Sequence, residues 1–269
     1  MTNTPCVVSA QYLNEHLADP NLVIVDCRFA LMQPELGKKQ YEISHIPGAC
    51  YLDLNQDLSA PVGVHGGRHP LPDFAQLAAK LGAIGITSGQ TQVIAYDDSR
   101  FAFAARLWWL LRYLGHEQVA VLDGGWQAWQ QAGYAVTDAI PTPQPGVFVP
   151  HLRSNCVVDI EALKSPLPGV VVIDSRESDR YLGKQEPIDP VAGHIPGAIN
   201  YPWQEVTDAQ GYFNPSNQQR WDALANSPEI VVYCGSGVTA CVNLLALELA
   251  GISGGKLYPG GWSDWCSYL

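Results

Sequence analysis

Basic residues are scarce in this chain: 15 Lys and Arg stand against 26 Asp and Glu, a formal net charge of −11. The imbalance is even along the length, with 8 basic against 13 acidic residues in 1–143 and 7 against 13 in 144–269. No Lys/Arg run or basic patch is present, which argues against nucleic acid or an anionic membrane as the main partner. Long apolar runs are missing too, and Leu107–Leu111 is far too short to span a bilayer. The opening residues, MTNTPCVVSAQYL, lack the charged-then-apolar layout of a secretory signal. Paired cysteines are absent: the seven at positions 6, 27, 50, 156, 234, 241 and 266 are odd in number and include no Cys-x-x-Cys. That pattern fits neither a disulfide framework nor a zinc site and suits a reducing compartment. The expectation is a soluble cytoplasmic protein with no metal and no other cofactor.

What is present is apolar mass and repetition. Hydrophobic residues make up 47% and charged residues 15% of the 269, enough to bury a substantial core, and the length suits two domains of roughly 130 residues. Leu22-Val-Ile-Val-Asp-Cys-Arg28 is answered by Val170-Val-Val-Ile-Asp-Ser-Arg176, and His45-Ile-Pro-Gly-Ala49 by His194-Ile-Pro-Gly-Ala198. Val93-Ile-Ala-Tyr96 is answered by Ile230-Val-Val-Tyr233, and a Gly-Gly-Trp at 124–126 by another at 260–262. Four ordered matches at nearly constant spacing mark a duplicated domain. Asp138-Ala-Ile-Pro-Thr-Pro-Gln-Pro-Gly146 carries three prolines that favour an extended, semi-rigid linker. The division expected is a first domain over 1–138, a linker over 139–152 and a second domain over 153–269.

Within each copy, continuously apolar β-branched runs alternate with segments of helical length. Such runs suit strands covered on both faces. Segments 101–114 and 239–250 have helical composition, and Gly115 and Gly251 stand where C-terminal caps would fall. The fold class expected is α/β, each domain a parallel sheet flanked by helices on both faces.

The copies disagree at one informative place. After its Tyr-ended strand the second reads Cys234-Gly-Ser-Gly-Val-Thr-Ala240, whereas the first reads Asp97-Asp-Ser-Arg-Phe-Ala-Phe103. Both stretches follow a strand's C-terminal end and lead into a helix, where α/β folds place ligands. Gly235 and Gly237 let backbone N–H groups converge, and the helix N-terminus adds partial positive charge. A thiolate on Cys234, or an anion attached to its sulfur, would be stabilised there. Asp97, in the matching place, cannot be a nucleophile toward sulfur. Cys6, Cys27, Cys50, Cys156, Cys241 and Cys266 are read as small buried hydrophobes. His45, His194, Asp26, Asp174, Arg28 and Arg176 occur in both copies, which favours structural roles.

These residues resemble the tandem-domain rhodanese family of sulfurtransferases across essentially the whole chain. The resemblance implies two rhodanese-like domains, of which the second is catalytic. The cysteine loop is most similar to the 3-mercaptopyruvate branch, since thiosulfate-using members typically carry Arg and Lys where this chain has Gly235 and Ser236. A loop without cations gives the thiosulfate dianion little compensation, whereas mercaptopyruvate has a single carboxylate. By resemblance, Cys234 is the nucleophile, Ser236 and His69 belong to a proton relay, and Arg180 binds the donor carboxylate. Gly235, Gly237, Val238 and Thr239 form the loop that cradles the persulfide.

The chain departs from the pattern at two points. A second substrate arginine would fall near Asp189, and the relay aspartate falls on Asn55, with Asp53 two residues earlier. Arg68 is a candidate replacement cation. The partners implied are a small-molecule sulfur donor and an acceptor that is cyanide, a small thiol or a thioredoxin-like protein. Thiosulfate:cyanide sulfurtransferase and a non-catalytic sulfur-relay module remain alternatives. A phosphatase is set aside because position 240 is Ala where a Cys-x5-Arg site needs arginine.

Overall fold

The computed structural model describes residues 5–269, which form two compact units. One comprises the residues up to 60, then 72–153 and 209–213; the other comprises 61–71, 154–208 and 214–269. Neither unit is an uninterrupted stretch of sequence. Residues 139–152, expected as a linker, contain no helix or strand and are tied along the first unit. There Gly146 N–H donates to Gly82 O at 2.8 Å and Val149 N–H donates to Ser88 Oγ at 2.7 Å. Pro141, Pro143, Pro145 and Pro150 have no N–H to offer, so these amides fix the extended path.

The first unit contains β1 (Val7–Val8), β2 (Leu22–Asp26), β3 (Cys50–Tyr51), β4 (Gln92–Tyr96) and β5 (Val119–Leu122). They form a wholly parallel sheet in the order β1-β5-β4-β2-β3. Its helices are α1 (Ala10–Glu15), α2 (Glu35–Ile43), α3 (Phe74–Ala83), α4 (Ala104–Tyr113) and α5 (Gly125–Gln131). The second unit builds a parallel sheet in the order β7-β6-β8-β9 from β6 (Val170–Asp174), β7 (Ile199–Asn200), β8 (Glu229–Tyr233) and β9 (Lys256–Leu257). Its helices are α6 (Ile160–Lys164), α7 (Ser178–Tyr181), α8 (Ala240–Leu249) and α9 (Gly261–Cys266).

The apolar runs become the central strands. β4 and β8 are buried at every residue after the first, as strands with both faces covered must be. Helix α4 begins three residues later than its composition suggests, because Arg100 and Phe101 adopt left-handed backbone and cannot join it. Gly115 and Gly251, at φ +84° and +76°, end α4 and α8 in the left-handed conformation that glycine adopts without penalty.

The repeated motifs lock together in the same way in each unit. His45 Nδ1 lies 2.7 Å from Tyr41 O and stacks on that tyrosine; His194 does the same with Tyr181 at 2.7 Å. The strand-end hydroxyls of Tyr96 and Tyr233 accept the Ile46 and Ile195 amides. Arg28 pairs with Asp26 beneath Trp126, and Arg176 pairs with Asp174 beneath Trp262. These groups are part of the packing in both units.

Candidate active site

Cys234 is the first residue beyond the C-terminal end of β8, and 235–239 leads into α8. The strand's apolar run fixes the height of Cys234, and the Gly-Gly-Trp motif fixes its backbone. Cys234 O accepts the Trp262 N–H at 2.8 Å, and a Cβ on Gly261 would stand 2.5 Å from that oxygen. Gly237 has φ +72°, and a Cβ there would lie 2.0 Å from Pro259 O, so both positions need glycine. Cys234 is 2% exposed, and Ser236 and Val238 are buried with it. Thr239 is the N-cap of α8 without a side-chain capping bond. Of the other cysteines, Cys27, Cys50, Cys241 and Cys266 are buried, but Cys6 and Cys156 are half-exposed at the ends of elements and do not act as core hydrophobes.

In the first unit the same place holds Asp97, whose carbonyl likewise accepts a Gly-Gly-Trp amide, from Trp126 at 2.8 Å. Its carboxylate is ringed by main-chain donors: Ser99 (2.8 Å) and Phe101 (3.2 Å) on Oδ1, Phe103 (2.9 Å) and Ala104 (2.8 Å) on Oδ2. In this unit the loop after the strand turns its amides onto the side chain that follows the strand's last residue.

Two guanidiniums stand over Gly235. A Cβ there would lie 2.9 Å from Arg68 Nη2 and 3.5 Å from both Nη atoms of Arg180. The cysteine loop carries no cation of its own, so reading the loop alone underestimates the positive charge: it arrives from 61–71 and from α7. That charge is countered in turn. Asp174, Arg176, Glu186, Arg180, Asp189 and Arg68 form one chain of alternating sign. Successive contacts measure 2.6, 3.1, 2.7 and 3.0 Å, and the last is the Asp189–Arg68 ion pair. Burial pulls the Arg68 guanidinium below its ordinary pKa; negative charge on Cys234 opposes this and the Arg180 charge reinforces it. The buried Arg68 Nε finds no acceptor among the described residues.

His69 Nδ1 and Ser236 Oγ are 2.7 Å apart, bringing together two residues 167 positions apart in sequence. Asp53 is engaged within its own turn, where Oδ1 accepts the Asn55 and Gln56 amides at 2.8 and 2.9 Å. Glu186 and Asp189 were missed as site residues by sequence reasoning. The available signal was two acids shortly after Arg180, but local spacing does not say which cations they meet. Among the described residues no cluster of His, Cys, Asp and Glu is arranged to hold a metal ion, and no helix is long and apolar enough to cross a membrane.

The model of the rhodanese-like domain matches residues 9–132 and again 159–268. A Pseudomonas aeruginosa protein named "Probable 3-mercaptopyruvate sulfurtransferase" is 48% identical over 269 residues, covering 96% of this chain and 94% of that protein. The thiosulfate sulfurtransferase of Rattus norvegicus is 31% identical, covering 96% and 91%. The structure of 3-mercaptopyruvate sulfurtransferase from Leishmania major is similar with a TM-score of 0.84 at 29% identity, over 100% of this chain and 76% of that one.

Proposed function

This chain belongs to the rhodanese-like family, and from that premise we propose that it is a sulfurtransferase moving sulfane sulfur from 3-mercaptopyruvate through a Cys234 persulfide to a thiol or cyanide acceptor. The observation that carries the reading is the pair of guanidiniums, Arg68 and Arg180, beside the first residue of the loop that Cys234 opens. A strand-end thiol under two cations suits attack on the sulfur of an anionic donor.

In the first half-reaction the Cys234 thiolate forms a bond to the donor sulfur. The donor C–S bond breaks, and its electron pair passes to the methylene carbon, giving the pyruvate enolate. A proton delivered to that carbon completes pyruvate, and Ser236 with His69, hydrogen-bonded at 2.7 Å, supplies the route. Arg180 holds the donor carboxylate, its planar fork matching two oxygens, and Arg68 adds a second positive charge. Amides of Gly235, Ser236, Gly237, Val238 and Thr239 surround the persulfide, an arrangement supported by the amide ring on Asp97 in the matching loop. In the second half-reaction an acceptor thiolate or cyanide attacks the outer sulfur and restores Cys234, so ping-pong kinetics follow. A small thiol or a thioredoxin-like protein serves as the acceptor in the cell, and a cytoplasmic setting supplies such reduced thiols.

Intact-mass analysis tests this. Exposure to 3-mercaptopyruvate should add about 32 Da, one sulfur atom, to the chain. Cys234→Ser should lose both that mass and turnover, and retention of either overturns the assignment. Loading by the free donor also separates an enzyme from a relay that takes sulfur only from another protein.

A further inference from the structure

We infer that Asp189 sets the charge of the donor that the Cys234 site accepts, by holding Arg68 and Arg180 together and cancelling one of their two positive charges; this rests on the sulfurtransferase reading above. The Asp189 side chain is 1% exposed, with Oδ1 on Arg68 and Oδ2 on Arg180 at 3.0 Å. Its backbone is fixed in turn, because the Asp189 and Ile188 amides donate to Glu186 Oε1 at 3.0 and 3.2 Å. The residue is therefore tied at both ends, its backbone to Glu186 and its carboxylate oxygens to two guanidiniums.

The charges on the chain of ion pairs sum to zero: three carboxylates from Asp174, Glu186 and Asp189 against three guanidiniums from Arg68, Arg176 and Arg180. A Cys234 thiolate then makes the surroundings net negative. A donor with one negative charge, placed away from the sulfur that moves, finds an arginine fork and little repulsion. A donor with two charges next to that sulfur meets an excess of like charge, and specificity arises from that repulsion as well as from attraction.

The first unit shows that the fold does not need this extension. Arg28 pairs with Asp26 and donates to Ser44 O at 2.7 Å, matching Arg176 on Asp174 and on Gly193 O at 2.6 Å. No second carboxylate is bonded to Arg28 among the described residues. Only the unit that carries the cysteine continues through Glu186 and Arg180 to Asp189 and Arg68.

The test is steady-state kinetics of the full chain with 3-mercaptopyruvate and with thiosulfate. Asp189→Asn keeps the shape and removes the charge. It should move the ratio of kcat/KM toward thiosulfate by roughly tenfold, mainly through a lower KM for thiosulfate. Asp189→Glu, which restores the charge, should return the ratio toward that of the unmodified chain. Should Asp189→Asn fail to fold, Glu186→Gln removes the equivalent charge from the other side of Arg180 and should shift the ratio in the same direction. An unchanged ratio, or a parallel loss with both donors, overturns the role assigned to Asp189 while leaving the sulfurtransferase reading intact. An unmodified chain that takes sulfur from neither donor overturns both.

Discussion

Asp97 and Cys234 follow equivalent strands, and the loop around Asp97 is fitted to the carboxylate it surrounds. Around Asp97 the loop is one residue longer before its helix, and Arg100 and Phe101 both take positive φ, at 59° and 72°, to turn the amides inward. Left-handed backbone costs roughly 1–2 kcal/mol for each non-glycine residue, which four hydrogen bonds to a carboxylate offset. Burial nevertheless pushes the Asp97 carboxyl up to about 6 from 3.8, with the Ala104, Ser99 and Phe103 amides pulling the other way. Because the folded state binds the proton more tightly than the unfolded chain, the stability this shift contributes is full below pH 3.8 and fades as the pH rises through about 6. Thermal melts of the chain and of Asp97→Asn, compared at pH 4 and pH 7.5, should show the advantage of aspartate shrinking at the higher pH. An advantage that holds steady or grows would contradict the sign.

At the scale of elements, the unit of function is the strand, the loop and the helix that follows. Helix α8 is almost wholly buried, and its one strongly polar buried residue, Asn243, keeps it in register. Asn243 Nδ2 donates to Ser175 Oγ at 2.9 Å and Tyr201 O at 2.7 Å, and its Oδ1 accepts from Arg220 at 3.1 Å. Truncation would strand those partners away from water, a loss of about 1–3 kcal/mol for each unsatisfied buried group. Asn243→Ala should accordingly lower stability in urea by an amount in that range or above. Serine at 243 should recover little of it, since its single hydroxyl cannot reach three partners. The local motifs were legible in the sequence at this scale: the strands β2, β4, β6 and β8 and the capping glycines follow from short-range patterns, whereas the Gly-Gly-Trp repeat was visible but its approach to the strand-end carbonyl was not. The late start of α4 was not, because its composition is helical and only the turning of the loop onto Asp97 forbids it.

At the scale of the whole molecule, the second unit is completed by a segment from the first half of the sequence. Within 61–71, Gly66 N–H donates to Asp264 Oδ1 at 2.7 Å, and His65 stacks on Tyr268 with centroids 4.1 Å apart. The same segment brings Arg68 and His69 to the cysteine loop. Replacing 61–71 in the full chain by a glycine/serine linker of equal length should abolish sulfur transfer. Calorimetry should show the second unit melting earlier while the first is little changed. Undiminished transfer would mean that neither Arg68 nor His69 is needed.

The sequence by itself determined the duplication, the parallel α/β architecture and the position of the thiol. Each of these depends on hydrophobic period, backbone permissiveness and strand-end placement, which act over a few neighbouring residues. Tertiary structure alone decided the electrostatics around that thiol. Arg68 comes from a distant segment, and Asp189, which looks like a missing cation when read in line, becomes the carboxylate that anchors two. Coulomb interaction depends on distance in space and on burial, and neither is written in the order of residues along a chain.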